Sequence, residues 1–174
     1  MRTVLRVLLV IVTVVAILIG IGFALPREHT ASSSIELPGA ADTVWAVVRD
    51  LGALKDTWPD LTAVRRLPDR DGAEVWEETV SGEPLRLVVR RSDPPSILVT
   101  TIDADRDAPF GGTWTYQIDP IPAGVRVTVT EAGWVNNPLF RLVMRVIGPH
   151  TTMDGYLTAL GRHFGHEVTP EHAP

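Results

Sequence analysis

The chain has 174 residues, of which 45% are hydrophobic and 21% charged, which is typical of one folded globular domain rather than a disordered chain. It contains no cysteine, which excludes a disulfide framework, a thiolate metal site and a cysteine nucleophile. The formal net charge is −5, and beyond the first 25 residues the chain has 14 basic against 21 acidic residues. This acidic balance argues against nucleic acid as a partner.

The first element is an apolar segment from Val7 to Leu25, interrupted only by one threonine and two glycines. Nineteen helical residues extend ~28 Å, close to the ~30 Å hydrocarbon core of a bilayer. A helix also satisfies its own backbone hydrogen bonds, as lipid requires. The segment therefore predicts a transmembrane helix, and residues 1–26 are assigned to a membrane anchor.

The flanking charges predict the orientation of this anchor. Arg2 and Arg6 precede it, whereas Arg27 and Glu28 nearly cancel after it. The asymmetry predicts a single-pass membrane protein with a cytoplasmic N-terminus and an extracytoplasmic body. A cleaved signal peptide is the alternative, since residues 22–24 are a small-residue site, but its apolar region is normally only ~7–15 residues long. An uncleaved anchor is therefore favoured, and both interpretations predict export of the body.

A strand and a helical region begin the body. Residues 27–31 are expected to form a polar linker, and the alternation from Ser32 to Leu37 predicts a half-buried strand. Asp42 is a candidate helix cap, and apolar residues at helical spacing follow it. Gly52 predicts that this region is split into two short helices.

Six further strands are predicted, separated by short segments rich in proline, glycine and aspartate. Such short connections favour antiparallel hairpins. The predicted strands are Leu61–Leu67, Ala73–Val80, Leu85–Ser92, Ile97–Asp103, Gly112–Asp119 and Val125–Val135.

Helical periodicity returns near the carboxyl end. Asn137 is a candidate cap, and Pro138 suits a first helical position. Two apolar stripes follow on either side of residues 148–149, a Gly-Pro pair that is expected to kink or interrupt the helix. The folded domain is assigned to residues 32–166 and a flexible tail to residues 167–174.

This order of elements predicts an α+β fold, in which a seven-stranded antiparallel sheet packs around a long C-terminal helix. Because a twisted, curved sheet is covered mainly by one helix, space is expected to remain between them. That space is the predicted ligand cavity.

The last hairpin predicts one polar group in this space. Valines at alternate positions from 125 to 129 define a buried face, and Glu131 falls on the same face. A four-residue loop at 120–123 would pair Glu131 with Gly112. Two interpretations stay open. The favoured one is a structural role, either a salt bridge, for instance with Arg91, or a solvated strand end, and the other is a group that orients a ligand or acts as general acid or base.

The remaining cavity candidates are aromatic or sulfur-containing side chains, each of which also suits a plain core. Glu131 and Tyr116 are the candidates for catalysis, and together with Arg90 and Arg91 they are candidates for holding a polar head group. The predicted ligand-binding residues are Trp58, Trp76, Phe110, Trp114, Tyr116, Glu131, Phe140, Met144, Met153 and Tyr156.

No cofactor and no metal site is predicted. His163 and His166 are three residues apart, but no third ligand has suitable spacing, so a solvated helix end is favoured. His150 is expected to be exposed, with a ligand contact at the cavity rim as the alternative. Glu77 and Glu78 are adjacent in a predicted strand and point to opposite faces, so they cannot act as a dyad.

Four groups of residues carry a family resemblance. They are Ile35-x-Leu37-Pro38 with Ala40, Val44-Trp45-x-Val47-Val48-x-Asp50, Leu54 and Trp58-x-Asp60; the Asp93-Pro94-Pro95 turn; Gly112-x-Trp114 with Gly124-x-Arg126-Val127-Thr128 and Glu131-x-Gly133; and the terminal helix. In these features, over about residues 30–166, the chain resembles the START-like superfamily, also called SRPBCC, and within it the polyketide cyclase/dehydrase-like group.

The resemblance implies a helix-grip fold, a seven-stranded antiparallel sheet around a C-terminal helix that encloses a cavity. Members of the superfamily include lipid carriers, sterol or hormone receptors and aromatase/cyclases, so the resemblance does not select a reaction. The favoured function is a membrane-tethered module that binds a lipid or other hydrophobic small molecule. One alternative is a polyketide cyclase/aromatase-like enzyme that uses the same cavity, although the membrane anchor distinguishes this chain from the soluble cyclases. The other alternative is an interaction protein.

Overall fold

The computed structural model describes residues 2–173, which form one long N-terminal helix and an α+β body. The helices are α1 (Arg2–Ala24), α2 (Ala41–Arg49), α3 (Pro138–Ile147) and α4 (Thr151–His163). The strands are β1 (Glu28–Leu37), β2 (Leu61–Arg70), β3 (Ala73–Val80), β4 (Glu83–Asp93), β5 (Ile97–Ile102), β6 (Phe110–Ile121), β7 (Gly124–Val135) and β8 (Glu171–Ala173). Met1 and Pro174, the outer ends of the predicted anchor and tail, lie outside the described residues.

The strands form a single antiparallel sheet in the order β2-β3-β4-β5-β6-β7-β1-β8. All seven predicted strands are present, and the α+β helix-grip fold is confirmed. The eighth strand, β8, pairs residues 171–173 with residues 32–34 of β1. It was missed because its three residues are exposed and carry no apolar alternation.

The core lies between the concave face of the sheet and the helices. Met153, Leu157 and Leu160 of α4 are fully buried in one cluster with Val127 and Val129 of β7. These α4 residues follow helical spacing and the β7 residues follow strand spacing, so each element presents one apolar face to the other.

The terminal helix is interrupted where the sequence predicted a break. Gly148 has a φ of +95° and separates α3 from α4, so the cover of the sheet comes from two helices rather than one long rod. The predicted start of α3 is also confirmed, since the Asn137 side chain accepts hydrogen bonds from the backbone N–H groups of Leu139 and Phe140.

The first helical region differs from the prediction. The cap residue of α2 is Ala40, not Asp42, which lies in the first turn. No second helix forms, and the chain from residue 51 to 57 makes turns. The Asp50 carboxylate accepts a hydrogen bond of 3.0 Å from the Gly52 N–H, and such local side-chain bonds compete with helix formation.

Strand β1 begins at Glu28, within the residues expected to form a linker. Its early start follows from β7, which extends far enough to pair Trp134 with Glu28 and so provides backbone partners for residues without apolar alternation. Only residues 25–27 therefore separate α1 from the sheet.

The hairpin between β6 and β7 is tighter than predicted. Ile121 pairs with Gly124, so the loop has two residues, and Glu131 lies opposite Trp114 rather than Gly112. Gly124 has a φ of +143°, and a Cβ there would lie 2.2 Å from the carbonyl oxygen of Leu37, so the turn requires glycine. Because the register error is an even number of residues, the predicted inward faces are preserved.

Candidate functional site

A cavity of about 460 Å³ lies between the sheet and the helices. Its volume falls within the ~300–1,000 Å³ that ligand sites in proteins occupy. The wall is formed mainly by apolar side chains from strands β3 to β7, from α3 and α4, and from the segment between α2 and β2.

Most of the predicted ligand-binding residues are brought together in this wall. The eight that line the cavity are Trp58, Phe110, Trp114, Tyr116, Glu131, Phe140, Met144 and Tyr156.

Trp76 and Met153 do not line the cavity. Met153 is fully buried in the core. Trp76 is on β3, where its indole N–H donates a 2.7 Å hydrogen bond to Glu74 and the Arg66 guanidinium lies 5.7 Å from its ring centroid. Alternation in a strand gives the face of a side chain but not its position along the cavity.

Four aromatic rings pack against one another at one end of the cavity. The Tyr156 ring centroid lies 5.2 Å from that of Tyr116, 5.7 Å from that of Trp58 and 6.3 Å from that of Trp114. Burial raises the pKa of both tyrosine hydroxyls above the ordinary value. The hydroxyl of Tyr116 therefore stays protonated near neutral pH, where it suits hydrogen-bond donation and not the role of a base.

Glu131 is paired with His29, which was not among the predicted site residues. The His29 Nε2 lies 3.2 Å from the Glu131 Oε1, and both residues line the cavity. The hydrogen bond with Glu131 raises the pKa of His29, although partial burial opposes the shift. His29 was missed because it lies in the segment predicted as a linker.

The predicted arginine partners lie elsewhere. Arg91 forms a 2.5 Å ion pair with Asp93, and both side chains are exposed. Arg90 is also exposed, and neither arginine lines the cavity. The proposed Glu131–Arg91 bridge was therefore wrong.

A second carboxylate, Glu78, reaches the cavity. As the alternation predicted, Glu77 points to the other face of β3, where it forms an ion pair with Arg65. Glu78 is only 9% exposed and, among residues 2–173, no side chain or backbone group makes a hydrogen bond or ion pair with its carboxylate. Burial raises the pKa of Glu78 to about 7. Glu78 could have been identified from the sequence, because strand alternation places it on the same face of β3 as the apolar Val80.

One end of the cavity reaches the surface beside α3. Phe140, Met144 and Ile147 of this helix line the cavity, and Phe140 and Ile147 are also exposed to solvent. Phe110 of β6 contacts Phe140, with ring centroids 6.0 Å apart. Helix α3 therefore forms part of the rim of the cavity mouth.

The other histidines do not build a site in the wall. His150 is half-buried rather than exposed, because its Nδ1 lies 3.2 Å from the Ser33 Oγ and its ring stacks on His172 at 3.9 Å. Within the described chain, no three His, Asp or Glu side chains are grouped as metal ligands.

Sequence comparison gives one match that covers most of the chain. The family model described as "Polyketide cyclase / dehydrase and lipid transport" matches residues 28–162. No curated protein matches the sequence.

Several solved structures share the fold. The di-domain ARO/CYC StfQ from the steffimycin biosynthetic pathway has a TM-score of 0.61 at 12% identity, over 77% of this chain and 49% of that one, so this chain spans about half of StfQ. The Zhui aromatase/cyclase from Streptomyces sp. R1128 has a TM-score of 0.60 at 17% identity, over 79% and 93%. A Thalictrum flavum norcoclaurine synthase mutant has a TM-score of 0.60 at 14% identity, over 79% and 95%. At such low identities the likeness is one of fold.

Proposed function

The chain belongs to the polyketide cyclase/dehydrase and lipid transport family, and we propose that it is a membrane-tethered member that holds a lipid or another hydrophobic small molecule. The observation that carries this proposal is the cavity of about 460 Å³ with its largely apolar wall. Transfer of apolar surface from water into such a site is favourable by ~25 cal/mol per Å². An apolar guest with few polar atoms therefore fits the wall better than a polar metabolite does.

The tether in this proposal is α1. Its residues Thr3–Ala24 are long and apolar enough to cross a bilayer, and nearly the whole helix is exposed in the folded chain. The excess of arginine before the helix favours a cytoplasmic N-terminus and a body outside the cytoplasm. With only residues 25–27 between α1 and the sheet, the body stays at the bilayer surface, where the local concentration of lipids is high.

The His29–Glu131 pair favours a second candidate function, a polyketide cyclase/aromatase-like enzyme. A hydrogen-bonded imidazole and carboxylate in a largely apolar wall suit general acid–base chemistry on an oriented substrate. Loss of turnover of a polyketide-like substrate in E131Q, with binding retained, supports this candidate. Unchanged turnover removes Glu131 from the mechanism.

Photocrosslinking tests the binding proposal in the full chain. A long-chain alcohol that carries a diazirine is added to the chain in lipid nanodiscs, irradiated and mapped by peptide mass spectrometry. Leu85 of β4 lines the cavity, whereas the neighbouring Arg86 is exposed on the opposite face, so L85W fills the cavity and R86W is its matched control.

We expect labels on cavity peptides in the wild type and in R86W, and a loss of at least about tenfold in L85W, since a bulky ring removes the space for the guest. Labels confined to α1 and the surface, or equal cavity labelling in all three proteins, would contradict the proposal.

A further inference from the structure

Glu78 is a buried acidic group of the sheet for which residues 2–173 provide no partner. Three other glutamates of the sheet are compensated: Glu77 by Arg65, Glu74 by Arg49, and Glu131 by His29. Glu78 is more than nine-tenths buried and lines the cavity, and no group within residues 2–173 bonds to it. Burial of an uncompensated carboxylate is costly, so such a group usually has a bonding partner in the functional state.

The strand beside Glu78 presents apolar side chains to the cavity. Leu85 and Leu87 lie on the adjacent strand β4 and also line the cavity. The charge of Glu78 helps to raise the pKa of Tyr116 and Tyr156, so both hydroxyls lie within reach of its field and remain neutral. The cavity therefore has space for a guest molecule that forms a hydrogen bond with Glu78.

We propose that Glu78 binds the polar end of the guest, and that this end is a hydrogen-bond donor, an amine or a hydroxyl, rather than a free carboxylate. This inference rests on the proposed function of the cavity. A carboxylate accepts hydrogen bonds from an ammonium or hydroxyl group, whereas a second carboxylate beside it is repelled. The alkyl part of the guest then lies against the aromatic and aliphatic wall toward α3.

Three diazirine-bearing alkyl probes of equal length, ending in an amine, a hydroxyl or a carboxylate, test the assignment in nanodiscs at pH 8. Cavity labelling is divided by α1 labelling in the same sample, which corrects for the amount of each probe in the bilayer. E78Q is compared with E77Q, the adjacent glutamate on the outer face.

In the wild type and in E77Q we expect the amine and the hydroxyl to exceed the carboxylate by at least about tenfold, the effect of one hydrogen bond to a charged group. In E78Q this preference disappears. Equal labelling by the three probes in the wild type, or an unchanged order in E78Q, overturns the assignment of Glu78. Absence of cavity labelling by every probe overturns the proposed function itself.

Helix α3 provides a second, independent observation. Leu139, Val143 and Val146 form a stripe along its outer face and are 42%, 45% and 82% exposed. Such a stripe on a short helix at the protein surface is typical of an element that lies in the interface of a membrane.

Contacts with α1 place this stripe at the level of the bilayer surface. Gly22, near the end of α1, packs so closely on α3 that a Cβ there would lie 2.1 Å from the carbonyl oxygen of Pro138. Arg141 of α3 also donates hydrogen bonds to the carbonyl oxygens of Gly22 and Leu25. The last turn of a membrane-spanning α1 lies at the lipid headgroups, and so does the helix bound to it.

We infer that α3 lies on the leaflet into which the carboxyl end of α1 inserts, with the cavity mouth facing the acyl chains. The inference rests on the proposed tether. Phe140, Met144 and Ile147 line the mouth on the same helix, so a guest can pass between bilayer and cavity without crossing water.

The absence of cysteine allows single-site fluorescence labelling of the full chain. V146C, V12C in α1 and D69C at the exposed end of β2 are each labelled with the dye NBD and reconstituted in phosphatidylcholine vesicles that contain brominated acyl chains. We expect the bromines to quench the dye at positions 146 and 12 but not at position 69. A dye at 146 that is as unquenched as that at 69 overturns the inference, and an unquenched dye at position 12 overturns the tether as well.

Discussion

The guanidinium of Arg141 donates a 3.0 Å hydrogen bond to the carbonyl oxygen of Gly22, 119 residues earlier in the chain. The same side chain donates to the carbonyl oxygens of Leu25, Val135 and Asn136, at 2.8 to 3.1 Å. It is 5% exposed, and no acidic side chain among residues 2–173 pairs with it. The carbonyls at the end of α1 carry a partial negative charge, which suits a cation. Arg141 thus couples α1 to α3.

Replacement of Arg141 by glutamine is expected to loosen α3, because buried carbonyl groups lose their donors at a cost of about 2–4 kcal/mol in total. Hydrogen exchange of the full chain in nanodiscs measures this as faster exchange over residues 136–147. R145Q, on the same helix but exposed, is the control and should leave exchange unchanged. Equal protection of α3 in R141Q and the wild type would show that the four hydrogen bonds do not hold the helix.

The pH dependence of stability tests the environment of Glu78. Its pKa is about 7 in the folded chain against 4.5 without the protein environment, so the folded state binds more protons between these values. The free energy of unfolding therefore falls as the pH rises from about 4.5 to 7, by on the order of 3 kcal/mol in total. E78Q removes this decline and should be more stable than the wild type at pH 8, with little difference at pH 4.

Unfolding of detergent-solubilised chain by heat, followed by near-ultraviolet circular dichroism, gives the comparison across pH. E77Q is the matched control because the carboxylate of Glu77 lies on the outer face of the sheet, where it pairs with Arg65. Identical slopes of stability against pH in E78Q and the wild type would exclude a buried, uncompensated carboxyl at position 78.

The stability that the His29–Glu131 pair contributes also depends on pH. The carboxylate partner raises the pKa of His29 in the folded chain. The pair therefore stabilises the fold fully below the ordinary histidine pKa of 6.5, and this stabilisation is lost as the pH rises through the pKa of His29 in the folded chain. H29Q is therefore expected to destabilise the chain more at pH 5.5 than at pH 8. The same thermal measurement checks this, and an equal loss at both pH values would contradict a charged histidine.

The proposed topology makes two measurable claims. A cysteine introduced at the exposed Lys55 should react with a membrane-impermeant maleimide in intact cells, and the mass of the chain from the membrane fraction should include residues 1–24. Labelling only after lysis reverses the orientation. A mature chain that starts near Leu25 replaces the anchor with a cleaved signal peptide.

The strands were predictable because alternation and turn residues act locally. Every predicted strand forms, and the buried face of β6 and β7 was correct even though their register was off by two residues. The loop length depends instead on the close approach of Gly124 to Leu37, two residues far apart in the chain. No local pattern contains that information.

The site was predicted less completely than the fold. Trp114 and Tyr116 were predicted from the inward face of a strand and Tyr156 from an apolar helical stripe, and all three line the cavity. Glu78 and His29 were not predicted, because one is half of an adjacent acidic pair and the other lies where alternation is absent. Their surroundings follow from tertiary position: the Glu78 carboxylate lies at the cavity, and the His29 imidazole is hydrogen-bonded to Glu131. Burial and partners of this kind arise only when distant strands meet.

The identity of the molecule in the cavity tests the guest-binding proposal most directly. The full chain is extracted from its native membrane into polymer discs, and the complex released from the discs is weighed by native mass spectrometry, with R86W and L85W treated in parallel. We predict a discrete added mass from a hydrophobic molecule on the wild type and R86W, and its loss from L85W. A wild-type chain of bare protein mass, which also fails to take up an offered alkyl amine or alcohol, would contradict a guest-binding cavity.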